Sequence, residues 1–396
     1  METVDAAGLG IGDDRPTRIM GVLNVSEESP YDPSVFDDPG EAAAYVDDEL
    51  IGEGADIVDV GLESANKRFD VLSAEQELDR LQTAVETMES TSGDAVWSIE
   101  TRYADVAEAA IEAGYDMVND ICGFADPEMP TVCQEYDVAV GKMASPPDLE
   151  RPGAVEETPW SARKSPEWAE SADYVDQVYA ALEQHGLTDK TIVDPAFGGW
   201  SEAKTLEQDR ETFERLREFR GLGQPILVSI NRKNFLRSLA DRSTEEALPV
   251  SLAATAMAIE RGAHVVRTHD VAETRDAAAI GDAFTPDRPR TGGEVTVEQL
   301  DVRTAGDVAR HCERLDIDID ASAAVTQVFE VSGLDSDSRE QVAAAATAAG
   351  CGFAPGPAGG AGLLYGTGDT LARLAERTGV PAPLSAAIRT ATDFDR

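Results

Sequence analysis

The segment "VVRTHDV", residues 265–271, ends an apolar run with Arg267 and His269 two residues apart. Cations are scarce here, with 33 Lys+Arg and 4 His against 76 Asp+Glu, so their placement is informative. In a strand, residues i and i+2 point to the same face, which sets Arg267 and His269 side by side as a socket for an anion. Other polar side chains also fall where short apolar runs stop: Asn24, Glu63, Glu100, Asn119, Asp194 and Asn231 to Lys233. The fifth run places Met143 there instead. One such residue is an ordinary strand-end polar group. Seven of eight in register indicate a constructed polar face.

The elements behind that face are eight β-rich apolar runs at 18–25, 55–62, 95–101, 116–123, 138–145, 191–198, 225–231 and 264–271. Segments of helical period lie between them. "SAEQELDRLQTAVETM" opens with Ser73 and Gln76 in capping-box spacing and puts Leu78, Leu81, Val85 and Met88 on one stripe. "ADVAEAAIEAG" and "SPEWAESADYVDQVYAALEQHG" each read as one helix stopped by glycine, and "TLEQDRETFERLREF" and "PVSLAATAMAIERG" follow the same plan. Eight alternations predict an α/β fold, a (β/α)8 TIM barrel with its active site at the C-terminal ends of the strands. A doubly wound open sheet is the alternative. It requires a glycine fingerprint after the first strand, and "NVSEES" has none.

Near residue 286 the texture changes to the linker "TPDRPRTGGE". The expected division is a barrel over 1–287 and a small C-terminal α/β or α+β domain over 288–396. Within the latter, "PGPAGGAG" reads as a connection rather than a phosphate cradle, because no Lys-Ser/Thr follows it. The formal net charge is −43 with a pI near 4.2, which excludes nucleic acid or an anionic membrane as the main partner. The acids are interleaved with Ala, Val and Leu, as in proteins adapted to very salty cytoplasm, where repulsion is screened. Cys122, Cys133, Cys312 and Cys351 form no CxxC pair and are expected as free thiols in a reducing cytoplasm. No signal pattern or membrane-length apolar run is present, so a soluble cytoplasmic protein is expected.

The motifs "IMGVLNVS", "GADIVDVGLES", "SIET", "VNDICG", "IVDPAFG", "NRKNF" and "VRTHDV", in that order over residues 18–285, resemble dihydropteroate synthase, a pterin-binding (β/α)8 family. The resemblance implies condensation of 6-hydroxymethyl-7,8-dihydropterin diphosphate with 4-aminobenzoate, releasing diphosphate. It implies pterin contacts by Asn119, Asp194 and Lys233, with Glu100 in place of the family's aspartate and Met143 as apolar lining. It implies diphosphate contacts by Asn24, Arg267 and His269, and Mg²⁺ on Asn24. Lys233, Arg267 and His269 would carry the catalytic step, with no protein nucleophile, and a homodimer is allowed. Three departures stand out: "NVSEESPYDPS" in the first loop, "ESANKRF" where the family has Glu-Ser-Thr-Arg-Pro, and Glu100 itself. Lys67 or Arg68 could replace the absent loop arginine. The pterin and diphosphate halves are thus expected intact and the arylamine half remodelled. The alternatives are a pterin-dependent methyltransferase of the same superfamily and a non-catalytic pterin binder.

Overall fold

The computed structural model describes residues 1, 3–26, 34–63, 71–145, 158–198, 204–291, 295–356 and 360–394. Eight parallel strands close into a barrel: β3 (Arg18–Asn24), β4 (Ile57–Gly61), β5 (Val96–Thr101), β6 (Met117–Asp120), β7 (Ala139–Met143), β8 (Thr191–Asp194), β9 (Ile226–Val228) and β10 (Ala263–Thr268). β10 pairs with β3 to complete the circle. The (β/α)8 expectation is met; seven strands lie within their apolar runs, and β10 begins one residue before its run, at Ala263. Not foreseen was the antiparallel hairpin of β1 (Val4–Ala6) and β2 (Leu9–Ile11). Its Val4, Ala6 and Ile11 join an apolar cluster with Met20, Ile57, Met117, Ile192 and Val265 from the first halves of the strands. The hairpin therefore closes the N-terminal end of the barrel.

The helices that flank the strands include α1 (Pro39–Tyr45), α2 (Ala74–Ser90), α3 (Ala104–Glu112), α4 (Met129–Glu135), α5 (Trp160–Arg163), α6 (Pro166–Ser171), α7 (Tyr174–Glu183), α8 (Leu206–Glu214), α9 (Asn234–Ala240), α10 (Leu248–Glu260) and α11 (Val271–Phe284). The capping box of α2 forms as expected, with Ser73 and Gln76 bonding reciprocally. The stretch after Ser165, expected as one helix, divides into α6 and α7. Asp173 takes an extended conformation and caps α7 through the Asp176 amide at 2.8 Å, and that local bond competes successfully with helix continuation. Lys142 ties β7 to the end of α7. Its buried ammonium donates to the carbonyls of Leu182 at 2.9 Å, Gln184 at 2.5 Å and Gly186 at 2.8 Å, which uses all three donors of the charged form.

Contacts separate a first unit, Met1–Phe219 with Gly223–Pro286, from a second, Arg220–Leu222 with Asp287–Arg396. The second contains the short hairpin of β11 (Arg290–Thr291) and β12 (Val297–Glu298). Its larger sheet comprises β13 (Thr326–Val331), β14 (Gly352–Ala354) and β15 (Gly362–Thr367), antiparallel in the order β13-β15-β14. Helices α12 (Ala305–Leu315), α13 (Ser336–Ala349), α14 (Gly368–Ala375) and α15 (Ala382–Phe394) complete it, an α+β arrangement. Val342, Ala346, Leu364, Leu371, Leu374 and Ile388 form its core. The "PGPAGGAG" stretch links β14 to β15, and Arg339 of α13 holds both ends through the Gly356 carbonyl at 3.3 Å and the Gly360 carbonyl at 2.6 Å. Residues 357–359 lie outside the described residues. None of the four cysteines forms a disulfide. No described helix is long and apolar enough to cross a membrane.

Candidate active site

The interior of a (β/α)8 barrel is filled by layers of four side chains from alternate strands. Here the apolar residues Ile57, Met117, Ile192 and Val265 of β4, β6, β8 and β10 all belong to the cluster under the barrel. Two residues further along the same strands, and so on the same face, stand Asp59, Asn119, Asp194 and Arg267. The sequences "IVD", "MVN", "IVD" and "VVR" thus share one plan: an apolar floor residue, an outward residue, then a polar one. A hydrophobic layer carries a polar one.

The polar layer is internally bonded. Asp59, fully buried, accepts from Asn119 Nδ2 at 3.0 Å and Arg267 Nε at 2.7 Å on one oxygen, and from Ser98 Oγ at 2.7 Å on the other. Arg267 Nη2 reaches Glu100 at 2.6 Å, where the carboxylate of β5 joins the layer. Arg267 and His269 therefore do not stand as a pair of unengaged cations. Burial works against the arginine's charge, but Glu100 and Asp59 outweigh it and raise its pKa. His269, just beyond β10, is neutral at physiological pH, because burial and the adjacent Arg267 push its pKa down to about 3. Burial raises Glu100 as well, against the pull of Arg267.

On β8, Asp194 accepts from the Ala196 amide at 2.8 Å. Burial raises its pKa to about 6 despite that bond and the nearby Lys233, Arg267 and Lys204. Lys233 begins the turn into α9, and burial followed by Arg267 lowers its pKa. Its ammonium approaches Gly198, where an added Cβ would come within 3.1 Å of Nζ in a backbone with φ +104°. A side chain at 198 would therefore displace the lysine. Met143 ends β7 in register with Asp194 and lines the same side.

The loop stems are tied separately. Asn24 Nδ2 donates to Ser34 Oγ at 3.0 Å, and that hydroxyl lies 3.3 Å from His269 Nδ1, so Ser34 joins two of the anion candidates. Asp209 pairs with Lys204 at 2.7 Å and accepts from the Gly198 amide at 3.1 Å. Glu63 pairs with Arg102 and accepts from the Leu72 amide at 3.4 Å. Asn231, one of the strand-end polar groups, turns instead to Asp270 at 2.9 Å, which Arg232 also grips. Lys67 and Arg68 lie outside the described residues, as do most of the two departing loops, 27–33 and 64–70.

The family model for pterin binding enzymes matches residues 20–269, from the first barrel strand to the end of the polar layer. This chain belongs to the pterin-binding enzyme family. It is 30% identical over 270 residues to the dihydropteroate synthase of Bacillus subtilis, covering 68% of this chain and 88% of that one. A probable bifunctional folylpolyglutamate synthase/dihydropteroate synthase from Halobacterium salinarum is 33% identical over 278 residues, 70% of this chain but 32% of that longer protein. The chain thus spans about a third of that bifunctional relative. Among solved structures, a Xanthomonas albilineans dihydropteroate synthase with 4-aminobenzoic acid superposes with a TM-score of 0.55 at 28% identity, covering 72% of this chain and 98% of that one.

Within this pterin-binding barrel, the structure gathers Glu100, Asn119, Asp194, Lys233 and Arg267 into one electrostatic group and brings Met143, His269 and Asn24 beside it. Sequence reasoning missed Asp59, Lys204, Asp209 and Ser34. For Asp59 a signal existed: it holds the polar place in the same apolar-x-polar pattern, but its apolar run continues three residues further, to Leu62.

Proposed function

We propose that the chain is a dihydropteroate synthase, condensing 6-hydroxymethyl-7,8-dihydropterin diphosphate with 4-aminobenzoate and releasing diphosphate. The observation that carries this reading is the polar layer of Asp59, Asn119, Asp194 and Arg267 beside Lys233. A pterin edge offers N–H donors, a carbonyl and ring nitrogens. Asp194, ionised above about pH 6, accepts from the N–H groups. Asn119 adds an amide that donates and accepts, and Lys233 donates to the carbonyl and ring nitrogen. Met143 packs against the ring face.

The reaction breaks the bond between the pterin methylene carbon and the diphosphate oxygen, and the electron pair leaves with diphosphate. The arylamine nitrogen then donates its lone pair to that carbon and loses a proton to solvent. The protein needs no nucleophile for this. Its task is to hold the ring and to accept the charge that builds on the leaving oxygen. Arg267 has two N–H groups engaged by Asp59 and Glu100, which leaves three of the five donors of a guanidinium for phosphate oxygens. His269, being neutral, adds a hydrogen bond without a second positive charge.

Magnesium fits in a limited way. Among the described residues no group of three or more His, Cys, Asp or Glu could hold a metal, and the Asn24 amide oxygen is the candidate ligand. That suits an ion that takes its other ligands from substrate phosphate and water. When bound, it would neutralise charge on the departing diphosphate.

The test is diphosphate release from the pterin diphosphate, assayed in molar salt to screen the −43 charge. Release that requires 4-aminobenzoate or a substituted relative supports the synthase. No release with any arylamine, despite pterin binding, overturns it and leaves a binder or a methyltransferase.

A further inference from the structure

We infer that Asp59 is the positioning residue of the pterin site, fixing the orientation of the Asn119 amide and the plane of the Arg267 guanidinium. The inference rests on the proposed pterin chemistry and adds to it a residue of different kind. Asp59 is fully buried in the middle of β4, so it acts on a ligand through its neighbours.

An ionised carboxylate accepts hydrogen bonds and donates none. The side-chain amide of Asn119 must therefore turn its nitrogen to Asp59, at 3.0 Å, and its oxygen away. The oxygen lies over Gly141 of β7, where an added Cβ would stand only 3.0 Å from it. The amide is thus trapped in one of its two orientations, and the face it shows to a ligand is chosen by Asp59. Arg267 is fixed at two points, with Nε on Asp59 at 2.7 Å and Nη2 on Glu100 at 2.6 Å. Two contacts at different nitrogens define the plane of the guanidinium; one would leave it free to rotate. The Ser98 hydroxyl, at 2.7 Å from the other oxygen of Asp59, holds the carboxylate itself in place. Asp59 thereby joins side chains from β5, β6 and β10 at one point inside the barrel, with its strand register opposite Ser98. Without it, Asn119 could flip its amide, and Arg267 could follow Glu100 alone.

The test uses the full chain and measures affinity for 6-hydroxymethyl-7,8-dihydropterin diphosphate by calorimetry as a function of pH. Asp59→Asn keeps the shape but removes the charge that holds the Asn119 amide and the Arg267 guanidinium. The expected result is at least about tenfold weaker binding. A second effect separates positioning from mere structural support. The charges that act on Glu100 are Asp59 and Glu63 against Arg267 and Lys233. Removing the Asp59 charge lets Glu100 ionise more readily, so the part of the acid limb that belongs to Glu100 moves to lower pH. Binding within twofold of wild type, or weaker binding with an unmoved acid limb, overturns the inference. If Asp59→Asn does not fold, Ser98→Ala decides. It frees the carboxylate while keeping its charge, and a threefold to tenfold loss with an unmoved limb supports positioning, whereas wild-type affinity overturns it. Absence of binding by the wild-type chain would instead overturn the proposed function, and the inference with it.

Discussion

The polar side chains of the barrel mouth occupy two tiers that are built differently. In the inner tier, Asp59, Asn119, Asp194 and Arg267 stand on strands above an apolar layer, and each position is set by strand register. In the rim tier, Glu63–Arg102, Lys204–Asp209 and Asn24–Ser34–His269 tie the stems of loops. Groups on strands are held more precisely than groups on loops. The inner tier is accordingly the part of the site whose residue types follow the family motifs. Two of the three departures lie in the loops that the rim stems carry, and the third, Glu100, meets the inner tier through Arg267. On the proposed function, the pterin takes the inner tier and the second substrate takes the rim. Changes to the two tiers should therefore separate in their effects on the two substrates.

The largest effect is expected for Arg267→Lys. A lysine cannot hold Asp59 and Glu100 at two separate nitrogens and still present a fork to phosphate. The loss should be about 1.5–3 kcal/mol in kcat/KM for diphosphate release. Unchanged kinetics would remove Arg267 from the anion site and dissolve the inner tier as a functional unit.

Next comes Asp194→Asn, expected to weaken binding of the pterin alone by about tenfold or more while the fold stands. Calorimetry without arylamine isolates this half of the site. The same residue sets a pH dependence. Burial holds its pKa near about 6, above the usual aspartate range, so the carboxylate is ionised above that pH and protonated below it. Pterin affinity should fall as the pH drops through about 6, where an ordinary aspartate would keep it until about 4. A flat profile down to about pH 5 would show that ionised Asp194 is not the acceptor.

Much of the inner tier was legible because β-strand periodicity and polar strand ends are local signals. "MVND", "TIVD" and "VVRT" each end an apolar run with the group that does the work. Asp59 escaped because "IVDVGL" continues apolar after it, so it read as the interior of a run. The partners in the rim were not legible at all. Glu63 and Arg102 are 39 positions apart, and the parallel pairing of β4 with β5 brings them together. The closing hairpin of Val4–Ala6 and Leu9–Ile11 was missed for another reason: strands of three residues are too short to show a period. The break before Asp173 was hidden by apolar spacing that continues across it, while the capping bond that decides the matter depends on one carboxylate.

The smallest effect, and the sharpest on the comparison, is expected from the stem of residues 64–70. Four contacts among the described residues hold that stem: the Leu62 carbonyl accepts from Arg80 at 2.9 Å, the Leu72 carbonyl accepts from Tyr103 at 2.6 Å, and Glu63 takes both Arg102 and the Leu72 amide. Arg102 is buried and lies over the Tyr103 ring, and among the described residues its Nε and Nη1 meet no hydrogen-bond acceptor, so the pair with Glu63 anchors one nitrogen of the guanidinium. Removing the arginine alone would strand a buried carboxylate and confuse function with folding. The informative variant is therefore Glu63→Gln with Arg102→Met, which removes both charges and retains most of the volume. If the rim guides the second substrate, KM for 4-aminobenzoate should rise by about threefold to tenfold, a change on the scale of one or two hydrogen bonds. Affinity for the pterin should stay within about twofold, because the inner tier hangs on strands that the variant does not touch. A parallel loss in both would mean that the tiers are one unit. A change in neither would confine the Glu63–Arg102 pair to holding the stem, and place the contacts for the arylamine elsewhere on the rim.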